Sequence, residues 1–320
     1  MEDINRPVNA TPHSLLLPDF VREVSAGQVR ARQLRHNLVS WLTVPCRLLP
    51  RRRQAGTCGI LMYHRVCPTP TNRFSPTYSV TPARFANQLK GLLRRGYRAF
   101  SLDQVVAAHR TGERLSQRAF AVTFDDGYAN NYLYALPVLE ELKVPATVFL
   151  ATAYIGCSDP FPFDDWMVGA SKSVPSEAWR PLTLDECRRM LDSGLIQFGA
   201  HTHTHADFRG DSEKLADDLR DCVTFLAKEF SINRPAAAYP FGDPRNGFAS
   251  DAMASIVAKL GCNSAFQIGN CCVKPTDDLY HLPRFDVAPG DCGASLAGKL
   301  DGWAEVIRNS LGKLKRVRVR

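Results

Sequence analysis

The chain has 320 residues, 45% of them hydrophobic and 22% charged, with a formal net charge of +8. That length and apolar content suit one large buried core, such as a single α/β barrel of roughly 250 residues, and exclude a disordered or fibrous chain. The charge belongs to the ends. Residues 1–57 hold nine arginines against four acidic side chains, a net of +5, and residues 308–320 hold six basic side chains and no acidic one, a net of +6, which leaves the body at −3. A nearly neutral body argues against a nucleic-acid groove across the fold.

In chain order, residues 1–57 read as a basic appendage, 58–307 as one domain and 308–320 as a basic tail. No secretory leader is visible, because the first apolar run, Leu15-Leu16-Leu17, is three residues long. The stretch Leu38 to Leu49 is interrupted by Pro45 and Arg47 and is too short to span a bilayer. With Val29 to Trp41 it forms an expected amphipathic helix, packed on the body or, in the sharper reading, lying on a membrane surface. Arg51-Arg52-Arg53 and Lys313-Leu314-Lys315-Arg316 read as solvated ends, with peripheral contact to an anionic membrane as the alternative. Without a leader, the expected location is the cytoplasm, including the inner face of the membrane. Ten cysteines without any CxxC spacing point to neither a zinc ribbon nor a redox pair, so reduced core cysteines are expected, with Cys271-Cys272 and Cys292 the one cluster to test.

Within the body, short apolar runs alternate with amphipathic stretches. Gly59–Tyr63, Ala119–Phe124, Ala146–Leu150, Leu195–Gly199 and Ala236–Tyr239 read as strands. Helical spacing groups Phe85, Leu89, Leu92 and Leu93, then Leu133, Leu136, Leu139 and Leu142, then Leu215, Leu219, Cys222, Leu226 and Phe230. Alternating strand and helix implies a parallel sheet, open or closed. Polar clusters follow three strands directly: Asp125-Asp126, His201 to His205, and Pro240-Phe241-Gly242. In a parallel α/β fold those strand ends meet on one face, so distant pieces of sequence can build one pocket.

Two adjacent carboxylates after a buried strand repel unless something separates their roles. A cation does so: one carboxylate binds it while the other takes a proton from water nearby. The plain alternative is a solvated Asp-Asp-Gly turn. Three of the eight histidines fall in His201-Thr202-His203-Thr204-His205. On a helical turn His201 and His205, at i and i+4, would face one way and His203 another. Two imidazoles and a carboxylate leave positions open on zinc, as a catalytic centre requires.

These residues resemble the polysaccharide deacetylase family, also called carbohydrate esterase family four or the NodB-homology domain. Thr123-Phe124-Asp125-Asp126-Gly127 and His201-Thr202-His203-Thr204-His205 match its first two motifs in order. Met62–Val66, Pro145–Phe149, Ala238–Gly242 and Leu282–Val287 are similar to blocks of the branch associated with exopolysaccharide clusters, so the resemblance runs from about Gly59 to Val287. It implies a distorted (β/α) barrel with fewer than eight parallel strands. It also implies a metal-dependent hydrolase that removes the N-acetyl group from an N-acetylated sugar, as polysaccharide, oligosaccharide or lipid-linked glycan. Asp125 would be the general base, and Asp126, His201 and His205 would hold a divalent metal, zinc by preference. Tyr239, Pro240, Phe241 and Gly242 would form a substrate-binding wall, with a backbone N–H near Tyr239 for the oxyanion.

The chain departs from the family in two places. Many members carry Arg where this chain has Ala238, and Arg284 is the expected replacement beside Asp125. The family's late Leu-x-His is not clearly present, so His64, at the end of the first strand, is the favoured acid and His281 the alternative. Tyr63, Phe161, Phe163, Trp166 and Phe241 are the aromatics a sugar could stack on. Two rivals remain: a non-catalytic carbohydrate- or partner-binding module on the same fold, and an iron oxygenase site read from His205-Ala206-Asp207. The second needs an antiparallel jelly roll, which the alternation of strand and helix opposes.

Overall fold

The computed structural model describes residues 42–45, 56–68, 78–116, 118–164, 174–307 and 310. Most of the basic appendage and tail, the Val29–Trp41 stretch and Trp166 lie outside the described residues. In chain order the elements are β1 (Cys58–Tyr63), β2 (Arg65–Val66), β3 (Ser79–Val80), α1 (Pro82–Leu93), β4 (Arg98–Ala99), α2 (Leu102–Thr111) and β5 (Ala119–Phe124). They continue with α3 (Leu136–Leu142), β6 (Ala146–Leu150), α4 (Leu184–Asp192), β7 (Ile196–Ala200), α5 (Ser212–Phe230), β8 (Ala236–Ala238), α6 (Asp251–Lys259), β9 (Ser264–Ile268), β10 (Leu282–Asp286) and α7 (Gly293–Leu300).

Strands β5, β6, β7, β8, β9, β10 and β1 pair in that order, all parallel, and β1 returns to β5 through the register Cys58↔Ala119 to Tyr63↔Phe124. The sheet therefore closes into a barrel of seven strands, fewer than eight, as the family resemblance implies. β4 adds two residues against the start of β5. Both faces of these strands are buried, which is why they read as continuous apolar runs without alternation.

Successive side chains point into and out of the barrel. Outward, Leu61, Tyr63, Phe120, Val122, Phe124 and Val148 join a core with the helices that contains Phe85, Leu89, Leu215, Leu219 and Leu226. Inward, Cys58, Ile60, Ala119, Ala121, Phe149, Ala236, Ala238, Phe266 and Leu282 meet Leu102, Val105 and Val106 of α2, which plugs the floor. Much of the inward layer is alanine, so the small barrel has room for Phe149, Phe266 and one long polar side chain. Gly199 belongs to the same design: a Cβ there would lie 2.5 Å from the Phe149 ring.

On the outside, α1 and α7 cross at Gly91 and Gly293, where a Cβ on either glycine would lie 2.5–2.7 Å from the other's Cα. Residues 42–45 make one helical turn against α7, with the buried Thr43 hydroxyl donating to the Ser295 carbonyl at 3.2 Å. A part of the appendage thus packs on the body. Gly91→Ala tests the crossing. Alanine in a helix interior gains about 0.5–1 kcal/mol over glycine, but overpacking against an immovable Cα costs about 1–3 kcal/mol. The expected net is a loss of about 1 kcal/mol or more in urea unfolding, with unchanged turnover.

Candidate metal and catalytic site

The site lies where β5, β7, β8, β10 and β1 end. Asp125 continues the inward parity of Ala119, Ala121 and Thr123, and its N–H donates to the Tyr63 carbonyl at 2.9 Å, extending the ladder by one residue. Its carboxylate therefore points into the barrel. There Arg284 grips it with both arms, Nη1 to Oδ1 at 2.6 Å and Nη2 to Oδ2 at 2.8 Å, while Nη1 also reaches Thr123 Oγ1 at 3.3 Å. Both side chains are almost fully buried, at 4% and 1% exposure. The Arg284 guanidinium carbon sits 5.2 Å from the centre of the Phe149 ring. Burial pushes the Asp125 pKa up, but the Arg284 charge and, more weakly, His201 and His64 override it and hold the carboxyl below the usual carboxylate range.

Asp126 leaves the strand by a left-handed residue, φ 74°, followed by Gly127 at φ 89°. That turn sends the second carboxylate to the top of the barrel, away from the first. The Ala151 N–H fixes the Asp126 carbonyl at 3.2 Å and Gly127 accepts from Leu182 at 2.9 Å. Adjacent carboxylates are thus separated by strand parity and one αL residue.

His201 and His205 meet Asp126 from the β7 loop. Each Nε2 lies 3.5 Å from Asp126 Oδ1, and His201 Nε2 lies 4.0 Å from Asp125 Oδ2. His201 Nδ1 is 2.9 Å from the Ala238 carbonyl, which can only accept, so Nδ1 carries the proton. Burial lowers the pKa of His201, and that of His205 falls further through burial and its neighbour His201, so both rings are neutral. His201 thus turns a bare Nε2 lone pair toward Asp126 Oδ1, while His205 Nδ1 is buried without a hydrogen-bond partner among the described residues. One ligand atom each from Asp126, His201 and His205 lies within 4.8 Å of the others. Converging lone pairs without a proton between them suit a cation, and a histidine whose other nitrogen is tied to a backbone carbonyl is the usual form of a metal ligand.

The loop is not the helical turn expected from the i, i+4 spacing. Residues 201–205 are irregular, with Thr202 at φ 63° and His205 at φ 54°. His203 does point elsewhere, its Nδ1 2.8 Å from Thr152 Oγ1.

His64 lies within electrostatic reach of Asp125, His201 and Arg284. Its ring stacks on Tyr78 with centroids 4.6 Å apart. Burial, opposed by Asp125 and aided by His201, Arg284 and Arg65, pulls its pKa down to about 4. Three side chains that follow the Asp-Asp-Gly turn tie its segment down. Asn131 Nδ2 donates to the His64 carbonyl at 2.9 Å, Asn130 Oδ1 accepts from Val66 N–H at 3.0 Å, and Tyr128 Oη accepts from Arg65 at 2.7 Å. Arg65 also pairs with the buried Asp164. His281 lies away from this group, its Nδ1 3.4 Å from Asp278 and its Nε2 3.5 Å from the exposed Asp251, just before β10 begins. The alternative acid is therefore corrected.

The substrate wall also needs correction. Tyr239 is buried in the outer core, its hydroxyl donates to the Tyr280 carbonyl at 2.9 Å, and its N–H is spent on the Phe266 carbonyl at 3.1 Å. One residue past the inward Ala238, it points outward by strand parity. Pro240 and Gly242 contribute backbone, and Phe241, at φ 61°, carries the wall, its ring 4.8 Å from that of His205. The Phe241 N–H has no acceptor among the described residues. Of the other aromatics, Phe163 stacks on His205 at 4.0 Å, whereas Tyr63 and Phe161 are buried in the core.

Arg284→Met tests the buried pair. Removing one partner leaves an unpaired buried carboxylate, which costs about 3–5 kcal/mol at neutral pH. In the wild type the depressed Asp125 pKa contributes stability above the unfolded value of about 3.9 that is lost as pH falls through the folded value. In the variant, burial acts unopposed and raises the pKa, so protonation relieves the penalty. Urea unfolding of chelated protein should show the gap between the two proteins narrowing from pH 7 to pH 4; a constant gap would mean that Arg284 acts only by its volume.

A family model described as polysaccharide deacetylase matches residues 112–265, which contain both motifs. The poly-β-1,6-N-acetyl-D-glucosamine N-deacetylase of Staphylococcus epidermidis is 29% identical over 237 residues, covering 71% of this chain and 74% of that protein. The protein of the same name from Staphylococcus aureus strain MSSA476 is 25% identical over the same span. Among solved structures, a Streptococcus pyogenes deacetylase in complex with acetate aligns with a TM-score of 0.64 at 22% identity, over 77% of this chain and 99% of that one. IcaB from Ammonifex degensii aligns with a TM-score of 0.62 at 22% identity, over 78% and 98%. The structures share the barrel, and the matched family model together with the relatives shows that this chain is similar to the polysaccharide deacetylases.

Proposed function

We propose that the protein is a metal-dependent N-deacetylase that hydrolyses the acetamide of N-acetylglucosamine residues in a glycan, releasing acetate and a free amine. The observation that carries this reading is the placing of Asp125, gripped by Arg284, beside a separate three-atom donor set, with 4.0 Å between Asp125 Oδ2 and His201 Nε2. A base and a cation site share one pocket without sharing a carboxylate. The substrate to test first is a β-1,6-linked N-acetylglucosamine polymer, the one named for the staphylococcal relatives. Two nitrogens and one oxygen as donors favour zinc. The basic termini would hold the enzyme near an anionic surface on the inner face of the membrane, a reading that rests on their charge of +5 and +6.

Asp126, His201 and His205 would hold the cation, which when bound supplies Lewis acidity, lowering the pKa of water to about 7 and favouring negative oxygen. The chain's own groups do the rest. Asp125, kept ionised and aimed by Arg284, accepts a proton from the water that attacks the acetamide carbon. The Phe241 N–H is the backbone donor available for the carbonyl oxygen as it becomes anionic. His64 is neutral in the resting site. Negative charge developing on the substrate raises its proton affinity, so it takes up a proton from solvent and delivers it to the sugar nitrogen as the C–N bond breaks, and Asp125 returns the proton it accepted to solvent when acetate leaves. Phe163 and Phe241 flank His205 and present apolar surface to the sugar.

Asp125→Asn keeps the shape of the side chain and removes its basicity. Acetate release from the polymer should fall by about 10² to 10⁴ in kcat, with metal content and KM nearly unchanged. Release at the wild-type rate would refute Asp125 as base, and a wild-type protein without acetate release would favour a glycan-binding module instead. His64→Ala separates proton delivery from attack. Turnover of the amide should fall by about 10² or more, whereas an activated aryl acetate, whose leaving group needs no proton, should be cleaved within a few-fold of wild type. Equal losses on both substrates would remove His64 from the role of acid.

A further inference from the structure

The β7 loop presents two histidines inward although its backbone is neither strand nor helix. Two of its five residues, Thr202 and His205, are left-handed and carry a Cβ, a conformation that costs energy unless the surroundings enforce it. The enforcement comes from outside the site. Asp218, in the second turn of α5, turns its carboxylate to the back of the loop. Oδ1 accepts from the His203 and Thr204 N–H groups, and Oδ2 accepts from the Thr204 N–H at 3.2 Å and from the Thr204 hydroxyl. The Thr204 carbonyl in turn accepts from Tyr154 Oη at 3.0 Å, and the Thr202 hydroxyl accepts from the His205 N–H at 3.1 Å.

We infer that Asp218 is the positioning residue of the metal centre: its carboxylate, bound to two of the three residues between the ligand-bearing ends, sets the separation and direction of His201 and His205. An anionic acceptor taking several N–H and O–H donors is stronger than a neutral one, and one rigid helix side chain replaces the hydrogen-bond ladder that a helical loop would have had. Asp218 touches neither the cation position nor the substrate position. Its neighbour Asp217 is exposed and pairs with Arg220 within the same helix, so it carries the same charge on the same helix without meeting the loop.

This inference rests on the assignment of His201 and His205 as ligands, and the experiment keeps the two apart. Zn2+ affinity is measured by chelator competition on full-length protein, alongside thermal unfolding and amide hydrogen exchange of the metal-free form. Asp218→Ala should weaken Zn2+ about 10- to 100-fold and speed exchange of the His203 and Thr204 amides, with metal-free unfolding close to wild type. Thr204→Val, which removes one donor and leaves the carboxylate, should shift both readouts less and in the same direction, and it serves if Asp218→Ala does not fold. Asp217→Ala should match wild type. His205→Ala is the reference: if it binds Zn2+ as wild type does, the ligand assignment has failed. If His205→Ala loses the metal while folded Asp218→Ala and Thr204→Val both bind as wild type, the positioning role has failed and the ligand assignment stands. An affinity loss in Asp218→Ala that appears only with an equal collapse of metal-free unfolding, with Thr204→Val unaffected, also overturns it.

Discussion

A guanidinium and a carboxylate buried together inside a seven-stranded barrel are the constraint around which this site is arranged. Taking each charge out of water costs several kcal/mol, and the attraction between them offsets that cost only if the geometry is good and the remaining donors are satisfied. Arg284 and Asp125 meet the geometric part of the condition with two parallel bonds of 2.6 and 2.8 Å, and Thr123 Oγ1 accepts a third, while Arg284 Nε is buried without a partner among the described residues. The requirement spreads to the barrel wall. Ala119, Ala121, Ala236 and Ala238 line the interior because a small barrel with large aliphatic side chains there would have no space for the arginine, and Gly199 is held to glycine by Phe149, the ring beneath it.

The pair also sets the two adjacent aspartates in different surroundings. Strand parity points Asp125 inward to Arg284, and the left-handed Asp126 points up to the histidines. Arg284 is the charged partner of Asp125, and a cation held by Asp126, His201 and His205 would be that of Asp126. On the proposed reading the labour is divided as well, because a carboxylate engaged by a cation would be a poor proton acceptor, while one held by arginine keeps a lone pair for water. The loops that complete the site are strained where the barrel is not, with positive φ at Asp126, Thr202, His205 and Phe241. Such residues persist only where hydrogen bonds from rigid elements over-determine them. Asp218 on α5 is an element of that kind for the β7 loop, and Asn130 and Asn131 after β5 hold the His64–Val66 segment in the same way.

The sequence made legible what depends on short-range pattern. Ala119–Phe124 and Ala146–Leu150 coincide with β5 and β6, because parallel strands buried on both faces leave an uninterrupted apolar run. The polar clusters after β5, β7 and β8 were readable because strand ends in such a fold converge. The two-residue strands β2, β3 and β4 are too short to leave a pattern. His201 and His205 do face one centre, but the i, i+4 spacing coincided with a helical one while a loop delivers them. Tyr239 was misplaced for want of strand parity, which sends it outward once Ala238 faces in. Asp218 was invisible because it sits beside the apolar stripe of α5 and reads as a solvated helix charge; only the position of the β7 loop shows what it binds.

Arg284 and Ala238 are best understood together. Family members with arginine in the third motif bring the guanidinium to the base from the strand that here is β8. This chain brings it from β10, with β9 lying between the two. A small side chain at 238, on the inward face of β8, is compatible with a guanidinium that arrives from β10. The Ala238 carbonyl keeps its own part in the site, accepting from His201 Nδ1 at 2.9 Å and thereby presenting Nε2 to Asp126. Strand β8 thus orients the His201 ring through its backbone while β10 supplies the positive charge beside Asp125.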